Sequence, residues 1–78
     1  MRSHRFPIGT RYMSSGGKVP RECIVMDHLT TTNSLGDVVS LRYVCGHSFM
    51  GQLVLDHDVV DPTIAKGLIP EFQHLLEG

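Results

Sequence analysis

The run of residues 21–60 constrains the fold most, because it reads as a long β-hairpin followed by one more strand. Valine, isoleucine, leucine, threonine and tyrosine dominate this run, and Asn33 and several glycines stand where the strands would break. The run covers about half of the 78 residues. It therefore predicts a small all-β domain and leaves little room for a catalytic scaffold.

The length predicts a single domain over residues 1–78. With 41% apolar and 19% charged residues, the chain is too apolar for intrinsic disorder. No apolar run approaches the roughly 18 residues of a membrane span, and the first residues lack the apolar segment of a secretory signal. We therefore expect a cytoplasmic protein without a membrane partner.

Local signals divide the chain into strands. Residues 6–13 read as a short first strand that bends at Gly9. The apolar pattern of the second strand is interrupted at Asp27, which predicts a β-bulge near that residue. Gly36 suits a positive φ in the connection formed by residues 34–37. The side chains expected to point inward from the next two strands are Val39, Leu41, Tyr43, Cys45, Val54 and Val59.

Helix signals follow the last strand. Asp61 is a favourable N-cap, and the sequence predicts one helical turn from Pro62 to Lys66, ended by Gly67 in a left-handed conformation, with Ile64 in the core. Residues 70–78 are expected to form a tail or a short helix. This order of elements, a strand, a loop, a long hairpin, a strand and a helical turn, predicts a small SH3-like β-barrel. Proteins with this fold have many different functions, so the fold alone does not indicate one.

The two cysteines, Cys23 and Cys45, are too few for the disulfide framework of a small secreted domain. If the hairpin turns near Leu35, Cys45 lies opposite Val25 and Cys23 near His47. Buried free thiols are the favoured interpretation, and a disulfide or a metal site remains open.

Side chains with catalytic or metal-binding chemistry are few. Cys45, His47 and Asp56 could imitate a thiol–imidazole–carboxylate set, and His57 would add a donor for zinc. However, the chain contains no nucleophile motif and no CxxC or HxxxH spacing. We therefore predict no catalytic residues, no metal and no cofactor, and we do not expect an enzyme.

Charge is distributed unevenly. Residues 1–21 carry five basic side chains and no acid, whereas residues 22–78 carry two basic and eight acidic ones. A flexible basic segment over residues 1–5 is expected. The basic side chains either lie along the acidic strands of the same domain or contact nucleic acid, although an acidic body would repel phosphates. The candidate nucleic-acid-binding residues are Arg5, Arg11, Lys18 and Arg21.

A turn between Gly46 and Gly51 is expected to expose Phe49 or Met50, and exposed apolar tips often mark contacts with a partner. The acidic residues that follow could meet an Arg-rich surface. The alternatives are a tip folded back onto the domain and an edge strand protected by charge. The candidate partner-binding residues are Phe49, Met50, Asp56, Asp58 and Asp61.

Several short segments carry a resemblance: FPIGT, the C-x-V-x-D segment from Cys23 to Asp27, TTTN, RYV, the turn from His47 to Gln52, and D-x-x-x-x-T-I-A-x-G-L. Over residues 6–69 the chain resembles short conserved proteins of unassigned function encoded in bacterial prophages and plasmids. The resemblance implies an accessory protein of a mobile element, and such proteins often inhibit host defence stoichiometrically, as anti-CRISPR proteins do.

Together these observations predict a phage-type accessory protein that binds a host protein or nucleoprotein complex, as an inhibitor. The alternative function is that of a small nucleic-acid-binding module. The protein is expected to be a monomer or a homodimer, with the C-terminal stripe of Phe72, Leu75 and Leu76 as the place to look for a dimer contact.

Overall fold

A computed structural model describes residues 3–14 and 19–77 and shows a mostly β architecture, as predicted. Four antiparallel strands form one sheet in the order β1-β2-β3-β4. The sheet is open, and the predicted closed SH3-like barrel is not shown. The elements are β1 (Arg11–Ser14), β2 (Arg21–Thr32), β3 (Val38–Phe49), β4 (Gln52–Val59), α1 (Asp61–Gly67) and a 3₁₀ helix (Pro70–Leu76). None of the described helices is long and apolar enough to cross a bilayer.

The hairpin of β2 and β3 turns where the sequence predicts it. Gly36 has a φ of +85°, which its missing Cβ permits without cost. The Asn33 side chain holds the turn, since its Oδ1 accepts hydrogen bonds from the backbone N–H groups of Leu35 (2.9 Å) and Asp37 (3.0 Å). The turn geometry fixes the register, and Cys45 lies opposite Val25, as expected.

The predicted β-bulge is present. Val25 pairs with Cys45, whereas Asp27 pairs with Val44, so Met26 is the extra residue of β2. The bulge resolves the conflict in the sequence pattern, because it lets Val25 point into the core while Asp27 stays exposed.

The core lies on one face of the sheet. Ile64 is fully buried there, as predicted, while Val39 and Val54 are exposed, contrary to the prediction. Val54 pairs with His47 and so lies on the expected face, but near the turn end of β4. Val39 is skipped at the register shift between Thr31 and Thr32, so it does not follow the regular alternation. The buried hydrophobic cluster consists of Phe6, Tyr12, Cys23, Val25, Tyr43, Cys45, Val59, Ile64 and Leu68.

The helix α1 begins and ends differently from the prediction. Val60 is the N-cap residue and Asp61 is the first helical residue, without a side-chain capping hydrogen bond. Gly67 lies inside the helix and is not among the residues with positive φ. A Cβ at Gly67 would overlap the backbone carbonyl of Met13, so the glycine permits a close approach of α1 to β1.

The chain after α1 returns to the sheet. Leu68 forms a single β-bridge with Tyr12, next to β1, and the N–H of Ile69 lies 3.5 Å from the carbonyl oxygen of Arg11. The predicted C-terminal helix is present as the 3₁₀ helix, and Phe72 and Leu75 pack against the core.

Candidate protein-binding surface

An apolar surface lies on the sheet face opposite the core. Ile24, Gly46 and Leu55 are directly opposite one another on β2, β3 and β4. A Cβ built at Gly46 would lie 2.6 Å from Met26 Sδ and 3.1 Å from Leu53 Cδ1, so these side chains converge over the glycine. All four side chains are more than a third exposed, and Leu53 reaches 61%. We call Ile24, Met26, Leu53 and Leu55 the outer-face patch.

An open groove of about 490 Å³ adjoins the outer-face patch. Its apolar lining comes from Ile24 and Leu53 of the patch, from Cys23 and from Gly46, and its polar lining combines two arginines with a glutamate, a histidine and a serine. Such a surface, with an apolar centre and a charged rim, has the composition of a protein interface. The lining residues are Arg11, Arg21, Glu22, Cys23, Ile24, Gly46, His47, Ser48 and Leu53.

The turn between β3 and β4 follows directly after Ser48, which lines this groove. Met50 is 86% exposed and has a φ of +51°, and Gly51 follows with a φ of +77°. Phe49 is 45% exposed, and the Arg21 guanidinium lies 4.7 Å from the centroid of its ring. Arg21 also lies 3.4 Å from His47 Nε2. The cation–π contact orients the Phe49 ring while leaving nearly half of the residue accessible.

The three acidic residues of the predicted site do not form one free surface. Asp58 accepts a hydrogen bond from Arg42 Nε at 2.9 Å, and Asp56 Oδ1 accepts one from the backbone N–H of Asp58 at 3.0 Å. Asp61 is half-buried, and its Oδ1 has no hydrogen-bond partner among the described residues. Burial, together with the neighbouring Asp61 carboxylate, raises the pKa of Tyr43 to about 12.

The candidate nucleic-acid-binding residues do not form one free surface either. Arg5 is exposed, whereas Arg11 pairs with Glu22 at 3.2 Å and with Glu71, and stacks over the Phe72 ring. Lys18 lies outside the described residues. Arg11 therefore follows the interpretation in which the basic segment lies along acidic groups of its own domain. Arg11 and Arg21 nevertheless both line the groove.

A cluster that sequence reasoning missed joins the first residues to the sheet. The His4 and His28 rings are stacked, with centroids 4.3 Å apart, and both meet the Tyr43 ring edge-on. His28 Nε2 lies 2.7 Å from the carbonyl oxygen of Phe6, and His4 Nε2 lies 2.8 Å from that of Arg42. His4 belongs to the segment expected to be flexible, and no local pattern indicates its contact, because its partners lie 24 and more residues away.

Comparison with known proteins adds no relative. A scan against protein-family models and searches of curated proteins and of solved structures returned no match to this chain.

The two thiols are free and buried in the core, beside Tyr12. Burial raises the pKa of Cys23 and of Cys45, and burial followed by a contact with Cys45 raises the pKa of Tyr12. Cys45 does lie opposite Asp56 in the sheet, but a thiol with a raised pKa supplies little thiolate at neutral pH. Among residues 3–14 and 19–77, no three histidine, cysteine or acidic side chains are placed to hold a metal ion.

We expect the free energy of unfolding to fall as the pH rises above about 9, the ordinary pKa of these thiols. Their folded-state pKa values are raised, so their contribution is fully present below that pH and is lost as the pH rises through the folded values. Each unit of elevation corresponds to about 1.4 kcal/mol. Urea unfolding at about pH 8 and about pH 10 measures the change. A variant with Cys23→Ala and Cys45→Ala should lose less stability over that interval, and an equal loss would contradict the prediction.

Proposed function

We propose that this protein acts by binding another protein through the outer-face patch and the turn that carries Phe49 and Met50. The observation that carries the proposal is the convergence of the accessible Met26, Leu53 and Leu55 side chains over Gly46. Ile24 lies directly opposite Gly46 on β2, and the apolar turn follows on β3. Covering this surface with a partner would remove apolar area from water, which favours binding by about 25 cal/mol for each Å² buried. The Phe49 ring, already oriented by Arg21, fits the role of an aromatic anchor.

The proposed partner is a host protein complex, and the proposed effect is stoichiometric inhibition in the host cytoplasm. The resemblance to prophage and plasmid accessory proteins supports this context. An apolar surface with a charged rim supports occupation of an interface between subunits. In this proposal the protein inhibits by binding its partner and catalyses no reaction.

We also propose that the sheet is an open relative of the SH3-like barrel. The support is the return of the chain after α1, where Leu68 bridges to Tyr12 beside β1. In a closed barrel of that kind, a last short strand would occupy this position, and here it is reduced to one bridge.

Binding of nucleic acid is the second candidate, because Arg11 and Arg21 both line the groove. Arg11 is already paired with two glutamates, which lowers the positive charge that phosphates would meet. Protein binding is therefore the function that the geometry supports better.

The test compares two turns with exposed apolar residues, at opposite ends of β3. Tagged protein is used to capture partners from a bacterial lysate treated with nuclease, and the captured proteins are quantified by mass spectrometry. Phe49→Ala, combined with Met50→Ala, should weaken capture of the specific partner at least about tenfold, the effect typical of anchor residues. Leu35→Ala is the control, since Leu35 is 84% exposed at the turn between β2 and β3.

Two outcomes would contradict the proposal. Equal capture by the double variant and by the Leu35→Ala control would show that the turn does not bind. Capture that occurs only from a parallel lysate without nuclease, with recovery of nucleic acid that depends on Arg21, would favour the second candidate.

A further inference from the structure

The two outer strands of the sheet differ in what covers them. The outer edge of β1 is met by Leu68, which forms the bridge to Tyr12. The outer edge of β4 has no strand partner among residues 3–14 and 19–77. An uncovered edge presents unpaired backbone N–H and C=O groups, which is a template for pairing with another strand.

Only the first part of β4 is a regular strand. Its pairing with β3 runs without interruption from Gln52 to Asp56, and a register shift follows before Val59. At this irregularity, the Asp58 N–H is bonded to the Asp56 side chain, which leaves it unavailable to a further strand. The part of the edge open to regular pairing is therefore residues 52–56, and Val54 is its midpoint.

The exposure of this segment is unusual for an edge strand. Leu53, Val54 and Leu55 are 61%, 39% and 43% exposed, so apolar side chains are accessible on both faces of the sheet. Edge strands usually avoid pairing through charge, and β4 carries its charges only from Asp56 onward.

We propose that β4 pairs with β4 of a second copy of this chain, antiparallel and centred on Val54. In this register Val54 faces its own copy, Leu53 faces Leu55, and Gln52 faces Asp56. Every apolar residue then meets an apolar residue, and each carboxylate meets an amide that can donate a hydrogen bond to it.

Charge selects this register over its neighbours. Centring on Leu55 would place Val54 opposite Asp56 of the second copy. Centring on His57 would place Asp56 opposite Asp58, and like charges directly opposite are destabilising. Only the register centred on Val54 uses the regular segment in full and leaves no such conflict.

The pairing closes on itself. The contact is two-fold, so the β4 edge of each copy is buried against the β4 edge of the other, and this pairing does not itself continue into a fibre. The paired sheet brings Leu53 and Leu55 of the two copies together and makes the outer-face patches continuous across the axis. The dimer contact therefore lies at β4 and not at the C-terminal stripe of Phe72, Leu75 and Leu76.

The proposal is tested by placing a charge at Val54, which lies on the two-fold axis of the proposed dimer. Sedimentation velocity should show wild-type protein with twice the 8.7 kDa mass of the chain at high concentration, dissociating on dilution. Val54→Lys and Val54→Glu should each raise the dissociation constant at least about tenfold, because two like charges then face each other. An equal mixture of the two variants should dimerise again. Val39→Lys is the matched control, since Val39 is 52% exposed on β3, away from the edge of β4.

Each result decides the proposal. Wild-type protein that stays monomeric overturns it, as does a Val54→Lys variant that dimerises like the Val39→Lys control. Failure of the lysine and glutamate variants to combine overturns the register. Gln52→Lys supplies an independent check, because it faces Asp56 of the second copy and should tighten the dimer, whereas an unchanged or weaker dimer contradicts the pairing. These measurements need no partner protein, so they succeed or fail separately from the proposed function.

Discussion

Replacing Tyr43 with alanine is expected to lower the free energy of unfolding by about 3–5 kcal/mol. Tyr43 is fully buried, and its ring contacts the rings of His4, Phe6 and His28. A domain of this length has a total stability of about 4–12 kcal/mol, so the loss is a large fraction of that stability. These rings come from two separate parts of the chain, the first residues and β2, so losing the Tyr43 ring would remove contacts between both parts and β3.

The matched variant Tyr43→Phe keeps the ring and removes only the hydroxyl. That hydroxyl accepts a hydrogen bond from the Phe6 N–H at 3.3 Å, so its removal should cost about 1–2 kcal/mol. Urea unfolding followed by circular dichroism measures both variants. Equal losses for alanine and phenylalanine would mean that the ring is not the centre of the core.

Gly67→Ala is expected to lower the stability by about 2–3 kcal/mol, although alanine is the better helix former by about 1 kcal/mol. The added Cβ would overlap the carbonyl oxygen of Met13, and a backbone atom cannot move aside as a flexible side chain can. The contact between α1 and β1 would have to open, which would also disturb the bridge between Tyr12 and Leu68.

Gly36→Ala is the control for this prediction. A Cβ at Gly36 meets no atom within 4 Å, but its φ of +85° is strained for alanine. The expected cost is about 1 kcal/mol, from backbone strain alone. Thermal unfolding of the two variants measures their losses of stability. The loss in Gly67→Ala reports steric overlap with Met13, and the loss in Gly36→Ala reports backbone strain. Stabilisation by Gly67→Ala would contradict the close packing of α1 on β1.

The sequence predicts those features that depend on neighbours along the chain. Gly36 marks the turn because positive φ is easy only without a Cβ. The bulge at Met26 follows from a break in the two-residue alternation, and the pairing of Cys45 with Val25 follows from the position of the turn. The start of the 3₁₀ helix at Pro70 follows from the fixed φ of proline, and apolar residues follow it in the sequence.

Only part of the candidate site can be predicted from neighbours along the chain. Phe49 and Met50 are exposed, which the flanking glycines indicate. The outer-face patch is not indicated, because Ile24 and Leu55 are brought together by two strand pairings across Gly46. The dispersal of Asp56, Asp58 and Asp61 likewise depends on local partners that a count of charges does not reveal.

Residue order alone indicated the turn at Gly36, the bulge at Met26 and the helical segment that follows β4, because φ preferences and alternation act over a few residues. Tertiary structure decided which face of each strand is covered. Val39 and Val54 are exposed, and His4 is held against the sheet, because burial depends on segments that are distant in the chain and meet only after folding. Gly67 shows the same limit, since its role is set by a carbonyl group 54 residues away.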